Sequence, residues 1–254
     1  MRHKYFACYL SNYKNINLKL VIHESNIKLN KNVLYKQNKI VKKHIDLRNK
    51  NETIFFKEFV KKNKNYKYIN IKNRKINEHE NIDLVRKEKF DYIISYGCSI
   101  ISSVFINHFK NRFINIHLGL SPYYKGAGTN FFPFANKELQ FCGSTIMKIS
   151  KKIDGGRIIH QIRPKFNYND NIHTVGNKII KKTAADLCEL LTKKKIIKSY
   201  NIKTNYKTKT YKKKDFNKNT LVSALNNLKN GLIKDYILKK EKVMKDKFPI
   251  KSQL

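Results

Sequence analysis

Residues 90–97 form an apolar segment with the length of one β-strand, interrupted only by Asp91 and Ser95. Strands that are apolar on both faces are typical of parallel sheets, because helices cover both sides of such sheets. A helical segment over residues 103–110 and a second strand over residues 113–117 follow. This alternation predicts an open, mostly parallel, twisted α/β sheet with helices on both faces. Ligands of such sheets bind beyond the carboxyl ends of the strands, so the loops after Gly97 and His117 should share one crevice.

Three polar side chains stand out in a region that holds seven of the chain's nine glycines, between residues 97 and 156. Asn115 and His117 are two apart on a predicted strand and so lie on one face. Asp154 precedes two glycines. Together an amide, an imidazole and a carboxylate suit acyl transfer: a donor for an oxyanion, a base, and a group that orients the base. Singly, each residue is also compatible with a structural role, such as pairing backbone groups or forming a turn.

The remaining pattern predicts further helices and strands on either side of this region. The clearest is an amphipathic helix over residues 172–192. Other predicted helices cover residues 3–13, 53–62, 77–88 (with Asn77 as N-cap), 129–136 and 219–238. Further predicted strands cover residues 18–22, 68–71, 141–149 and 157–163, and the last dozen residues are predicted to be a loose tail. We therefore divide the chain into a domain over residues 1–195 and a basic carboxyl-terminal extension with one helix over residues 196–254.

The net charge of +37 on 254 residues has two explanations. One is binding to nucleic acid or to another anionic surface. The other, which we favour, is a codon bias that enriches Lys, Asn and Ile together, because the lysines are spread along the whole chain. Either way, anionic substrates should be attracted.

Composition also bears on where the protein works. No apolar run approaches the roughly 18 residues that cross a membrane, and the first residues lack the apolar core of a signal peptide. The four cysteines have no paired spacing, which predicts reduced thiols and no metal site. We expect a cytoplasmic protein.

Four motifs, in a fixed order, resemble those of the formyl transferase family that uses 10-formyltetrahydrofolate. They are Asn115-x-His117, Leu120-Ser121-Pro122-Tyr123-Tyr124-Lys125-Gly126, Gly143-x-Thr145 and Asp154-x-Gly156. The resemblance extends from about Phe90 to Pro164. It implies the family's Rossmann-like fold, with the opening strand expected to be missing because the pattern starts directly on a helix.

The resemblance also implies roles for individual residues. Asn115, His117 and Asp154 match the family's catalytic residues, although it does not decide which of them is the base. One wall of the folate pocket is expected from the loop Tyr96, Gly97, Cys98, Ser99, Ile100 and Ile101, whose backbone would contact the pterin. The other wall is expected from the loop that contains Lys151 and Ile153.

This resemblance implies that the protein is an enzyme. The enzyme would move a formyl group from 10-formyltetrahydrofolate to a primary amine on a small anionic acceptor. An amino-sugar nucleotide is the preferred acceptor, and glycinamide ribonucleotide and methionyl-tRNA are the alternatives. A homodimer is compatible with this prediction. A different class of function stays open, namely a catalytically inactive, basic RNA-binding protein on the same scaffold.

Overall fold

The structure is a computed structural model that describes residues 1–25, 38–60, 65–109, 112–193 and 197–254. Its first part alternates helices and strands. The elements are α1 (Arg2–Ser11), β1 (Leu20–Ser25), α2 (Lys39–Val60), β2 (Lys67–Lys72) and α3 (His79–Arg86). Strands β1 and β2 pair in parallel, as expected for strands joined by a crossover helix.

A four-stranded sheet forms the centre of the second part. The elements here are β3 (Ile93–Tyr96), α4 (Ser103–His108), β4 (Phe113–His117), β5 (Tyr124–Gly126), α5 (Phe132–Ala135), β6 (Ser144–Lys148) and β7 (Ile158–Ile162). The strand order is β3-β4-β6-β7. Strands β3 and β4 are parallel, whereas β6 is antiparallel to both β4 and β7. The connection from β6 to β7 is too short for the crossover that a parallel pair requires.

The third part is mainly helical. Its elements are α6 (Ile172–Thr192), β8 (Lys209–Tyr211), α7 (Lys218–Lys229), α8 (Leu232–Asp235) and α9 (Glu241–Lys247). Strand β8 pairs in parallel with β5. Helix α6 has the predicted bounds, and Asn171 caps it by accepting hydrogen bonds from two backbone N–H groups. Within the described ranges, no helix is long and apolar enough to cross a membrane.

Helices cover the central sheet on both faces, as predicted. Ile114 of β4 is buried in one apolar cluster with residues of α1, α2 and α6, such as Tyr5 and Leu187. The preceding residue, Phe113, is buried in a different cluster with residues of α3 and α4, such as Phe105. Because successive side chains of a strand point to opposite faces, these two clusters mark the two sides of the sheet. The predicted α/β fold class is confirmed.

Several predicted elements have different bounds in the structure. Helix α2 begins at Lys39, not at residue 53. The predicted helix over residues 219–238 ends at Lys229, and Gly231 then adopts a left-handed φ of 80° before α8 begins. Helices often end on a glycine in this conformation. The predicted helix over residues 129–136 is a single turn.

The prediction of a loose carboxyl-terminal tail is wrong. The backbone N–H of Gln161 in β7 donates to the carbonyl of Lys251 at 2.7 Å, and the Lys251 N–H donates to Gln161 Oε1 at 3.1 Å. The Gln253 N–H donates to the ring nitrogen Nδ1 of His160 at 3.1 Å, and its side chain donates to the carbonyl of Ile159 at 2.6 Å. These hydrogen bonds hold the tail along the edge of the sheet.

The stability of this fold is expected to fall as the pH is lowered from about 6.5 to about 4. Two half-buried histidines, His44 of α2 and His173 of α6, lie with their ring centroids 4.5 Å apart. Burial lowers the pKa of each from 6.5 to about 4, and each is further lowered by a nearby cationic group. Between these pH values the unfolded chain binds protons that the folded chain does not. The free energy of unfolding therefore decreases as the pH falls.

Urea unfolding at about pH 7 and about pH 4.5 measures this effect, and we expect a contribution on the order of 2 kcal/mol after allowing for partial exposure. The variant His44→Phe removes one titrating ring from an aromatic environment and should reduce the pH dependence. Asn49→Gln, an exposed change on the same helix, should leave the pH dependence as it is. An unchanged pH dependence in His44→Phe would contradict the explanation.

Candidate active site

Three polar side chains, two from β4 and one from the loop between β6 and β7, meet at the carboxyl end of β4. The Nδ1 of His117 lies 3.3 Å from Oδ2 of Asp154. The amide nitrogen of Asn115 donates to the other carboxylate oxygen, Oδ1, at 3.4 Å. The Ser95 hydroxyl donates to Asn115 Oδ1 at 2.8 Å, which directs the amide N–H₂ group toward Asp154. The structure therefore places the three predicted catalytic residues around one point.

Asp154 reaches this point because its loop is fixed from two sides. Its backbone has a φ of 45°, an uncommon left-handed conformation that a non-glycine residue adopts mainly in turns and functional sites. The Ser121 hydroxyl donates to the Asp154 carbonyl at 3.1 Å, and the Gly126 N–H donates to its Oδ2 at 2.8 Å. The predicted turn and the predicted catalytic role are thus compatible in the same residue.

His117 is 5% exposed and is held at both ring nitrogens. Besides Asp154 at Nδ1, the carbonyl of Tyr124 lies 2.9 Å from Nε2. Both partners are hydrogen-bond acceptors, so a doubly protonated ring satisfies both, whereas a neutral ring satisfies one. Burial lowers the pKa of His117, and the Asp154 carboxylate and the Tyr124 carbonyl oppose that shift. A Cβ atom at Gly119 would lie 2.5 Å from Nε2, so only glycine leaves room for the ring there.

Strand β5 supplies backbone groups to this site and explains the glycine at position 126. Gly126 has a φ of 88°, and a Cβ atom there would lie 2.1 Å from the carbonyl oxygen of Tyr211 in β8. Its N–H donates to Asp154 and therefore faces the catalytic residues. Close pairing between β5 and β8 thus requires this glycine.

The sequence did not identify Tyr124 as a site residue. The contact that matters is made by its backbone carbonyl, and the strand that fixes this carbonyl lies about 85 residues away in the chain. Pairing over such a distance leaves no local periodicity that could have predicted it.

The loop predicted to form the first wall of the folate pocket follows β3. Strand β3 lies directly beside β4, which carries Asn115 and His117, since Tyr96 pairs with Ile116. The side chain of Tyr96 points elsewhere. Its ring packs 5.1 Å from that of His3 and 4.8 Å from that of Phe6, and its hydroxyl is buried. The phenol of Tyr96 is therefore not available to a ligand, and the contact between the backbone of this loop and a pterin stays a prediction.

Side chains that the sequence did not assign to the site fix this loop. The Ser99 N–H donates to Glu24 at 2.6 Å, and its hydroxyl donates to Asn73 at 3.0 Å. Asn77 donates to the Ile100 carbonyl at 2.8 Å and accepts from the Ser102 N–H at 2.7 Å. Asn77 thus stabilises this loop through hydrogen bonds. The prediction that it is the N-cap of α3 is wrong, because Glu78 occupies that position.

The two predicted walls expose large apolar side chains. Ile100 is 73% exposed in the first loop, and Ile153 is 53% exposed in the second. Ile101 is partly buried against the sheet, while Cys98 and Lys151 are exposed. A large apolar side chain that is exposed can bury its surface against a ligand.

Comparisons with known proteins agree with this architecture. A model of the formyl transferase family matches residues 11–191. A methionyl-tRNA formyltransferase from Pelagibacter ubique is 30% identical over 150 residues, which cover 55% of this chain and 44% of the relative. A formyltetrahydrofolate deformylase from Arabidopsis thaliana is 26% identical over 132 residues, covering 49% of this chain and 40% of the relative. The chain thus spans less than half the length of these curated relatives.

Solved structures show the same fold. A phosphoribosylglycinamide formyltransferase from Anaplasma phagocytophilum has a TM-score of 0.51 at 18% identity, over 74% of this chain and 78% of that one. A protein from Mycobacterium tuberculosis described as a likely sugar N-formyltransferase has a TM-score of 0.52 at 15% identity, over 83% of this chain and 87% of that one. At this identity the likeness concerns the fold. The family match over most of the chain gives the stronger result, and this chain belongs to the formyl transferase family.

Proposed function

We propose that this protein transfers a formyl group from 10-formyltetrahydrofolate to a primary amine. The observation that carries the proposal is the meeting of Asn115, His117 and Asp154 at the carboxyl end of β4. An amide donor, a titratable ring and a carboxylate within hydrogen-bonding reach of one another are the groups that acyl transfer requires.

The reaction can be written with these groups. The amine nitrogen attacks the formyl carbon, a new C–N bond forms, and negative charge develops on the formyl oxygen. The Asn115 N–H and a protonated His117 stabilise that oxygen. The pair formed by His117 and Asp154 takes the proton that the amine loses. It then returns a proton to N10 of the folate as the bond from N10 to the formyl carbon breaks.

The residues around the site fit a folate donor. The exposed side chains of Ile100 and Ile153 offer apolar cover for a pterin ring. The backbone of residues 97–101 is held in place by Glu24, Asn73 and Asn77. A loop fixed in advance is suited to hydrogen-bonding the edge of a ring without a large ordering cost.

The acceptor in this proposal is an amine that carries phosphate. The net charge of +37 favours such a substrate, and phosphate is common to amino-sugar nucleotides, glycinamide ribonucleotide and tRNA. An amino-sugar nucleotide stays the predicted acceptor. Methionyl-tRNA is the second candidate, because it is the substrate in the name of the Pelagibacter ubique relative.

The test is to incubate the protein with 10-formyltetrahydrofolate and each of the three amines in turn. Release of tetrahydrofolate with formation of the formylated amine is the expected result, and the productive amine identifies the acceptor. If no amine is formylated, and the protein instead binds RNA with an affinity that falls steeply with salt, the proposal is wrong. That result would support the inactive RNA-binding alternative.

A further inference from the structure

Strand β5 lies between the catalytic residues and residues 206–211, here called the carboxyl-terminal segment, which contain β8. The Lys209 N–H donates to the Tyr123 carbonyl at 2.8 Å, and the Ala127 N–H donates to the Tyr211 carbonyl at 2.9 Å. Backbone groups of alternate strand residues point to opposite edges. The backbone groups of Tyr124 and Gly126 therefore point away from β8 and toward the catalytic residues. The Tyr124 carbonyl contacts His117, and the Gly126 N–H donates to Asp154.

A cluster of side chains fixes Tyr124 at its other end. The Tyr124 ring is fully buried, and its hydroxyl donates to a carboxylate oxygen of Glu138. Lys209 of β8 donates to both Glu138 oxygens, at 2.7 and 2.8 Å, and the Tyr206 hydroxyl donates to one of them. Asn136 donates to the Tyr124 hydroxyl at 2.8 Å. Glu138 thus joins Tyr124 to two residues of the carboxyl-terminal segment.

The surroundings of Glu138 stabilise its ionised form. Burial alone would raise the pKa of Glu138, but hydrogen bonds from Lys209, Tyr124 and Tyr206 hold it below its ordinary value. Its side chain is 17% exposed and that of Lys209 is 33% exposed. Charge-assisted hydrogen bonds in a partly enclosed site are stronger than those of an open surface pair.

We propose that Glu138 is a positioning residue for the reaction: through Tyr124 it fixes the carbonyl that holds His117, and it makes residues 206–211 part of the working site. This inference rests on the proposed function. Among the residues that the structure describes, the hydrogen-bond and ion-pair partners of the Glu138 carboxylate are Tyr124, Tyr206 and Lys209, and none of them lies in the loops assigned to the folate. The loss of Glu138 should therefore lower kcat, by about 10- to 100-fold, and leave KM for the folate near its original value.

The titration of the His117 ring distinguishes a positioning role of Glu138 from an effect on the stability of the whole protein. The Tyr124 carbonyl stabilises the protonated ring, so loosening Tyr124 should lower the pH at which His117 loses its proton. The charged groups that act on the ring, Asp154 and Lys125, stay in place in the variants below. The titration can be followed by NMR of the ring nitrogens, with the His117 signal assigned from its absence in His117→Gln.

Two variants and a control make the test specific. Glu138→Gln removes the carboxylate and a charge, whereas Tyr124→Phe removes only the hydroxyl that links Glu138 to β5. If the link positions His117, both variants shift the His117 titration to lower pH and lower kcat without a matching change in KM. Asp235→Asn, which breaks the exposed pair with Lys239, should change neither.

The inference is overturned if folded Tyr124→Phe titrates and turns over like the original protein, because the effect of Glu138→Gln would then be one of charge alone. It is also overturned if both variants raise KM and leave kcat unchanged. Thermal unfolding shows whether each variant is folded. A shifted His117 titration in a protein that formylates none of the amines would support the structural link and count against the proposed reaction.

Discussion

Replacing His117 by glutamine is expected to lower the rate of formyl transfer by about 10²- to 10⁴-fold, the usual range for a group that transfers protons. Glutamine can still donate a hydrogen bond but cannot exchange a proton near neutral pH. The neighbours of the ring, Asp154 at Nδ1 and the Tyr124 carbonyl at Nε2, would lose the group that links them. The measurement is the rate of tetrahydrofolate release with the productive amine.

The matched control is another buried histidine. His160 of β7 is 2% exposed and pairs with Asp186 at 3.1 Å, away from the catalytic residues. His160→Gln should lower stability while leaving turnover per folded molecule close to the original. A His117→Gln protein that is folded and fully active would contradict the assignment of the site. Asp154→Asn should also be slow, and combining it with His117→Gln should add little, because residues that act as a unit have non-additive effects.

The sequence predicted the parts of the fold that depend on local patterns. The apolar run of residues 90–97 indicated a strand, but β3 covers only Ile93–Tyr96 and lies at an edge of the sheet, so that Ser95 alone of its residues is buried. The 3.6-residue period of residues 172–192 matched the bounds of α6. The spacing of Asn115 and His117 placed both on one face of β4, where the structure has them. In each case the positions that pack together are neighbours in a short window of the chain.

Contacts between distant segments could not be predicted in the same way. The pairing of β5 with β8 involves three residues on each strand, too few for a recognisable alternation. Asn77 has the spacing of an N-cap, yet its side chain braces the loop at Ile100. A polar side chain near a helix start can satisfy either the helix or a neighbouring loop, and tertiary packing decides between them.

The second large effect is expected at Glu52, whose neutralisation should lower the free energy of unfolding by about 3 kcal/mol. Glu52 of α2 is 6% exposed. It accepts hydrogen bonds from the Arg2 side chain, with the Nε contact at 2.9 Å, and Arg48 lies 3.9 Å away. One turn further along α2, the Phe56 ring stacks on Tyr5 at 4.5 Å. The ion pair and the stacked rings therefore join the same two helices, α1 and α2.

The pH dependence of this contribution has a defined sign. Burial alone would raise the pKa of Glu52, but Arg2 and the other nearby cationic groups hold it below its ordinary value of 4.5. Stability from this pair is thus fully present above about pH 4.5 and is lost as the pH falls through the lower folded-state pKa. The window lies below the one assigned to His44 and His173, so the two effects can be separated by titration.

Urea unfolding of Glu52→Gln near neutral pH measures this contribution, and Glu78→Gln is the control, because Glu78 pairs with Lys75 on the surface. An exposed pair of this kind contributes roughly 0–1 kcal/mol. Equal losses in the two variants would contradict a buried, stabilising role for Glu52.

A looser α1 should also weaken folate binding, since His3 of α1 packs against Tyr96, and a Cβ atom at Gly97 would lie 2.9 Å from the His3 ring. We therefore expect Glu52→Gln, unlike Glu138→Gln, to raise KM for the folate, because the helix that it releases lies against the loop assigned to the pterin.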